Sequence, residues 1–358
     1  MKKLYSLITI VILTSAAFKA NAQSSDDDFS QLIKSSPADV TKLFTAYGTP
    51  LFKGFGVGLN SGWNNTAKTK KFLHFDIRIS AAVAQAPTAD KTFDVTKIGL
   101  TNHLTPAAGS GTIAPTFAGD KDATPPTMRI NDDNGNQIST FQLPKGVIEY
   151  IPAPNVQITV GLVKNTDVTI RSTPTFKISD DAGSVGVFGF GIKHNIIQDF
   201  AKKGTEKPFD LALAFNFNRI KYSKTLDVKP ATGALPAPGT TAADFSTQRI
   251  DATFSGVNFQ AIISKKLLFF TPFASVGYQT GKTDLGVLGN FPIQSTVPGQ
   301  GTFYTVVKDP VHINETSISG MRGDFGFQLN LLILRIYASY SISGGGYNSA
   351  NAGIGLGF

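Results

Sequence analysis

Cysteine is absent from the 358 residues. That excludes disulfides, a lipid anchor on an N-terminal cysteine, thiolate chemistry and cysteine-ligated metals. Beyond the first residues no apolar run approaches the roughly 20 residues that a membrane-spanning helix needs. Dense runs of Lys or Arg are missing too. The formal charge of +8 is scattered along the chain, so no nucleic-acid-binding arm is expected. There is one tryptophan, Trp63, and there are four histidines.

What is present begins with an export signal. Lys2 and Lys3 open it, residues 4–18 are mostly apolar, and Ala20-Asn21-Ala22 supplies a small-x-small cleavage site. Residues 1–22 are therefore expected to be removed before Gln23. The apolar run is too short for an uncleaved anchor helix. Glycine (35) and phenylalanine (28) are abundant while mean hydropathy is close to zero. A barrel wall explains that mixture, because only alternate residues face lipid.

Period-two alternation supports this. Over residues 73–83, Leu73, Phe75, Ile77, Ile79, Ala81 and Val83 fall on one face, and His74, Asp76, Arg78 and Ser80 fall on the other. Phe209, Leu211, Leu213, Phe215 and Phe217 alternate with Ala212, Ala214, Asn216 and Asn218. Phe55, Val57 and Leu59 read as the strand before residue 73. Residues 253–263 change phase near Gly256, which suggests a bulge. With residues 92–100 added to make the number even, about twelve strands are expected, within a range of about ten to fourteen. The expected fold is all-β, a transmembrane antiparallel barrel over residues 52–358. Short turns such as Lys265-Lys266 alternate with long polar connections near residues 100–154, 224–246 and 281–316. This asymmetry places the long connections outside the cell and the short turns in the periplasm.

Residues 23–51 form a polar leader and a short helix. Ser36 caps it, Pro37 suits its first turn and Asp39 favours its positive end. Val40, Leu43, Phe44 and Tyr47 make its apolar face, and Gly48 and Pro50 are expected to end it. This face either packs wherever convenient or plugs the lumen against the inner wall or the periplasmic mouth.

The chain ends Ile354-Gly355-Leu356-Gly357-Phe358, with an aromatic last residue on an apolar face. This resembles the C-terminal assembly signal of outer-membrane barrels, and implies recognition of Phe358 by the outer-membrane assembly machinery. Gly56-Val57-Gly58-Leu59-Asn60-Ser61-Gly62-Trp63, Gly161-Leu162 with Thr166-Asp167 and Arg171, and Gly191-Ile192-Lys193-His194 resemble a family of bacterial outer-membrane barrels of unassigned function. Within that resemblance 54–66 corresponds to a first strand. A more distant similarity is to the long-chain fatty-acid transporter type of barrel, whose plug motif is not evident here.

No constellation of residues points to catalysis, a cofactor or a metal. His74, His103, His194 and His312 lack metal-ligand spacing, and His74 shares only a strand face with Asp76 and Ser80. Gly54-Phe55-Gly56-Val57-Gly58 lacks the lysine and hydroxyl of a phosphate loop, and its glycines more simply make room inside a wall. The inward charges Asp76, Arg78, Arg171, Lys193, Arg322, Asp324 and Arg335 mark the lumen, since Lys or Arg facing lipid costs roughly 2–4 kcal/mol near the midplane. They either fill a closed interior with salt bridges or line a path for a solute. Phe269 and Phe273 are candidates for an apolar patch inside. The expected partners are outer-membrane lipid, the assembly machinery and a small molecule, apolar ones included. The rival roles are a surface-display barrel with partner-binding loops and a soluble secreted β-protein.

Overall fold

The computed structural model describes residues 37–358 except 133, 180–182, 201–206, 242 and 298–300. The expected signal and leader lie outside the described residues.

Ten strands close into one antiparallel barrel: β1 (Phe75–Gln85), β2 (Tyr150–Gly161), β3 (Thr166–Ser179), β4 (Gly183–Asn195), β5 (Asp210–Thr225), β6 (Arg249–Ser264), β7 (Phe270–Leu288), β8 (Val311–Leu331), β9 (Leu334–Ser343) and β10 (Asn348–Gly357). Each pairs with its sequence neighbour, and β1 pairs with β10 to shut the ring. No strand edge is then left open, which is how a sheet avoids unpaired backbone in hydrocarbon.

Alternation separates the two faces. Ile77, Ile158, Ile170, Phe190, Phe215, Phe259, Tyr278, Phe325 and Ile354 are exposed on the outside. Large apolar side chains all round one closed surface require lipid, since soluble proteins rarely expose apolar patches beyond a few hundred Å². Among the described residues no helix is long and apolar enough to cross a membrane; the wall crosses with strands.

The two strands expected beyond these ten are not in the wall. Of residues 92–100 only Thr92–Asp94 are extended, and they pair with Ile113–Pro115 outside the barrel. Residues 55–59 belong to a helix, α1 (Pro37–Asn60), which is twice the expected length and passes through Gly48 and Pro50. Pro50 removes one backbone donor, a cost of roughly 3 kcal/mol in a helix interior. Burial compensates: Val40, Phe52 and Leu59 on α1 pack with Ile220, Phe254, Leu285, Val287 and Val311 of the inner wall. The boundary expected at Phe52 is thus displaced, and residues 61–74 link α1 to β1.

The bulge expected near Gly256 is also absent. β6 pairs with both neighbours in continuous register. Its inward residues change from Ala252 and Phe254 to Asn258 and Gln260, so the lining changes while the strand does not. A register shift does occur in β7, between Gly281 and Lys282.

Short turns at residues 162–165, 265–269 and 332–333 lie at one end of the barrel. The other end carries a crown of small sheets, built from Thr92–Asp94 and Ile113–Pro115, from Leu104–Pro106, Thr127–Asn131 and Gln137–Gln142, and from Leu235–Pro236, Asn290–Val297 and Gly301–Lys308.

Candidate functional site in the lumen

Helix α1 enters the lumen from the crown end. Its first turn is held there by Asp39, which accepts from the backbone N–H of Thr101 at 3.0 Å and from its hydroxyl at 2.5 Å. Leu43 packs into a crown core with Val95, Leu104, Met128 and Phe141, and Phe44 lies against it. The Tyr47 hydroxyl donates to the Lys145 carbonyl, and its ring meets Phe117 edge-on. Lys53 pairs with Asp90 at 2.7 Å, and Tyr347 donates to the same carboxylate. Burial and then the Asp90 bond push the Tyr347 phenol well above its ordinary range, so it stays a donor. The four apolar residues of the expected plug face therefore do find partners, Val40 on the inner wall and Leu43, Phe44 and Tyr47 in the crown.

Further down, α1 meets the wall through glycine. A Cβ on Gly54 would lie 2.9 Å from Ile151, one on Gly56 2.7 Å from Ile318, and one on Gly58 2.7 Å from Ala153. These glycines do make room against the wall, but from the helix rather than from a strand.

The helix ends in a polar belt. Its last four carbonyls have no partner within the helix and must find one elsewhere. Val57 O accepts from the Ser61 hydroxyl and from Arg322 Nη1, Gly58 O from the Ser61 N–H, Leu59 O from Arg171 Nη1 and Trp63 Nε1, and Asn60 O from Asn258 Nδ2. Arg171 Nη2 also donates to Ser61 O at 2.9 Å, and Arg78 Nη1 to Gly62 O at 3.1 Å. Three wall arginines thus surround the negative end of the helix dipole. The Arg171 guanidinium stacks 3.8 Å from the centre of the Trp63 ring. That ring fits because Gly189 and Gly191 of β4 leave it space.

Almost every strand supplies the belt. β2 gives Asn155 and Gln157, which accept from Arg171. β5 and β6 give buried Asn216, Asn218, Asn258 and Gln260. β7 gives Gln279, which accepts from Arg322, and β8 gives Asp324, bound to Arg322 Nε at 2.7 Å. β9 and β10 give Ser341, Ser349 and Asn351. The helix does not satisfy all of it: Ser80 Oγ, Asn216 Nδ2, Asn258 Oδ1 and both amide atoms of Asn351 have no hydrogen-bond partner among the described residues.

Below the belt, residues 61–74 run to the turn end. Lys193 Nζ donates to the carbonyls of Thr66 and Lys68 at 3.0 Å and pairs with Asp167 at 3.1 Å. Lys70 pairs with Asp76 at 2.9 Å. An open cavity of about 290 Å³ lies here, between this segment and the turn-end mouth.

Six of the seven inward charges read from the sequence, Asp76, Arg78, Arg171, Lys193, Arg322 and Asp324, are buried inside the wall. Arg335 is not with them. It is half-buried at the turn-end mouth, where Nη1 donates to Leu332 O. Phe273 faces inward, in a small apolar cluster with Ala67, Ala212, Ala214 and Ile262, whereas Phe269 is exposed in a turn. Sequence reasoning missed Ser61 and Trp63, placed in or beside a strand, and, though it faced Asn216 and Asn218 inward, it did not extend them into a ring with Asn155, Gln157, Asn258 and Gln279. The lone tryptophan beside Gly62 and the amides at inward-facing positions were the available signals.

The histidines stand apart. His74 contacts the Phe358 carbonyl, His103 lies near Asn131 O, His194 lies between Thr166 and Asp199, and His312 lies near Asp284. No cluster able to hold a metal occurs among the described residues.

No curated protein matches this sequence. Among solved structures the chain is similar to the outer membrane protease OmpT of Escherichia coli, at 9% identity and a TM-score of 0.30, covering 82% of this chain and 100% of that one. It is similar to the translocator domain of the autotransporter NalP of Neisseria meningitidis, at 11% identity and a TM-score of 0.28, covering 81% and 89%. It is similar to the toluene transporter TbuX of Ralstonia pickettii, at 8% identity and a TM-score of 0.24, covering 82% and 90%. Likenesses this weak carry over no activity. In sequence, residues 1–358 match the model of DUF6588, a family of unknown function, and the chain belongs to that family.

Proposed function

We propose that this protein sits in the outer membrane and passes a small polar solute through a lumen that helix α1 closes. The polar belt is the observation that carries the reading. A barrel sealed for good is most stable with an apolar filling, because each buried polar group left unpaired costs about 1–3 kcal/mol. This wall instead places amides, hydroxyls and arginines around nearly its whole circumference. Part of that set grips the helix end and part has no partner among the described residues. Water and solute would satisfy the same groups if the helix end withdrew. The belt favours polar solutes over the apolar ones that the sequence left open.

The test locks the helix. Ser61 and Ser349 have hydroxyls 2.8 Å apart, one on the segment just past α1 and one on β10. Cysteines at both positions, in a chain with no others, can be joined by oxidation. In liposome swelling with sugars and amino acids, the reduced double variant should admit solute and the oxidised form should not. Equal uptake by both forms would show that the helix does not gate the lumen.

A further inference from the structure

The turn-end cavity carries a strong excess of positive charge. Seven basic side chains line it, Lys68, Lys70, Lys71, Arg78, Lys193, Lys266 and Arg335, against the side-chain carboxylates of Asp76 and Asp167 and the terminal carboxylate of Phe358. Both side-chain carboxylates are already used, Asp76 by Lys70 and Asp167 by Lys193. Lys68, Lys71 and Lys266 are exposed and have no ion-pair partner among the described residues. Charges of one sign spread over the linker and the 265–269 turn repel one another, and with the Phe358 terminus counted the lining still carries more basic groups than acidic ones. A concave site of one sign focuses its field and concentrates counter-ions.

A second observation points the same way. Arg78 is only 5% exposed, yet its Nε has no hydrogen-bond partner among the described residues. Nη1 is occupied by Gly62 O, and the guanidinium lies 4.0 Å from the centre of the Tyr337 ring. Asp76 Oδ1 and Asp167 Oδ2, on the same lining, are also without a hydrogen bond among the described residues, so the orphan Nε adds a buried positive charge behind the cavity while the exposed lysines are the groups a solute meets, and charge-assisted bonds to carboxylate or phosphate are the strong ones.

We infer that this cavity is a binding site for small organic anions, carboxylates or phosphate esters, with Arg78 at its roof and Lys68, Lys71 and Lys266 at its rim. The inference rests on reading the lumen as solute-facing, and it names the class of solute. It does not need α1 to move, so binding and passage fail separately.

The experiment is calorimetric titration of the full-length protein in neutral detergent with citrate and with inorganic phosphate, at low and at moderate salt. Citrate should bind at a single site and weaken as salt rises. Triple reversal of Lys68, Lys71 and Lys266 to Glu should weaken binding at least tenfold. The same reversal at Lys121, Lys145 and Lys308 of the crown, an equal change in net charge at the far end, should leave it within about twofold. Heat-modifiable gel mobility checks that each variant holds its barrel. No citrate heat in the folded wild type, or equal losses in the two triple variants, would overturn the site. Normal citrate binding together with no difference between locked and unlocked forms in liposomes would overturn the gate alone.

Discussion

The guanidinium of Arg171 lies flat against the Trp63 ring at 3.8 Å while its Nη1 caps the Leu59 carbonyl at 2.9 Å, so one wall residue holds both the helix end and the turn that follows it. Trp63 is the sole tryptophan, and its emission therefore reports on this contact alone. Wild-type emission should be blue-shifted and poorly quenched by iodide. Arg171→Ala leaves the buried Ser61 carbonyl short of a donor, at about 1–3 kcal/mol, and leaves Leu59 O with Trp63 Nε1 alone. Its emission should shift to the red and become quenchable while the barrel stays heat-modifiable. Arg171→Lys should not restore the wild-type spectrum, because an ammonium lacks the planar fork and stacks poorly. An unchanged spectrum in Arg171→Ala would mean that the helix end is held by other contacts.

Gly56 presses its Cα towards Gly281, and a Cβ there would meet Ile318 at 2.7 Å. Gly56→Val should push α1 off the wall, with overpacking costs of about 1–3 kcal/mol. Trimming the obstacle should compensate in part: Gly56→Ala should be better tolerated with Ile318→Ala than without it. The measurement is the thermal midpoint of Trp63 emission across the double-mutant cycle. Strict additivity would place Gly56 away from Ile318.

The ring closes at its last residue. Phe358 N donates to Phe75 O at 2.8 Å, Phe75 N donates to Phe358 O at 3.1 Å, and the two rings lie 5.3 Å apart on the lipid side. Phe358→Ala keeps the backbone bonds and removes the ring pair. Slower insertion and a several-fold lower folded yield in cells are expected, with normal refolding into detergent in vitro. Wild-type yield in cells would show that the assembly machinery does not read this ring.

Pro37 and Ala38 are exposed at the crown end. With the crown outside the cell, Ala38→Cys should react on intact cells with a membrane-impermeant maleimide, and Lys266→Cys at the other end should react only after the outer membrane is opened. The opposite pattern would invert the assigned orientation.

Much of the wall was legible because period-two contrast survives wherever one face meets lipid, as at Phe215 beside Asn216. The helix from Gly48 to Asn60 was not, and the reason is physical. A helix wrapped by protein on every side has no polar face, so the 3.6-residue contrast that reveals helices is missing. Gly54, Gly56 and Gly58 interleaved with Phe55, Val57 and Leu59 then imitate a strand. The same enclosure explains Gly256: an apolar Phe254 and a polar Asn258 on one face look like a slipped phase, when they are one face seen above and below the helix end. The inward charges were readable from the wall alone. Their task of capping α1 was not, because the helix end itself was hidden.

Residues 37–73 run inside the wall from the crown end to the turn end, and only there does the first strand begin. The seam between β1 and β10 consequently closes around a stretch of its own polypeptide. A wall completed first would leave that stretch to be threaded afterwards through a ring already lined with arginine and amide groups. Laying the helix into the unsealed sheet before Phe358 meets Phe75 avoids that passage, and the polar belt then takes shape against the helix end as the ring shuts.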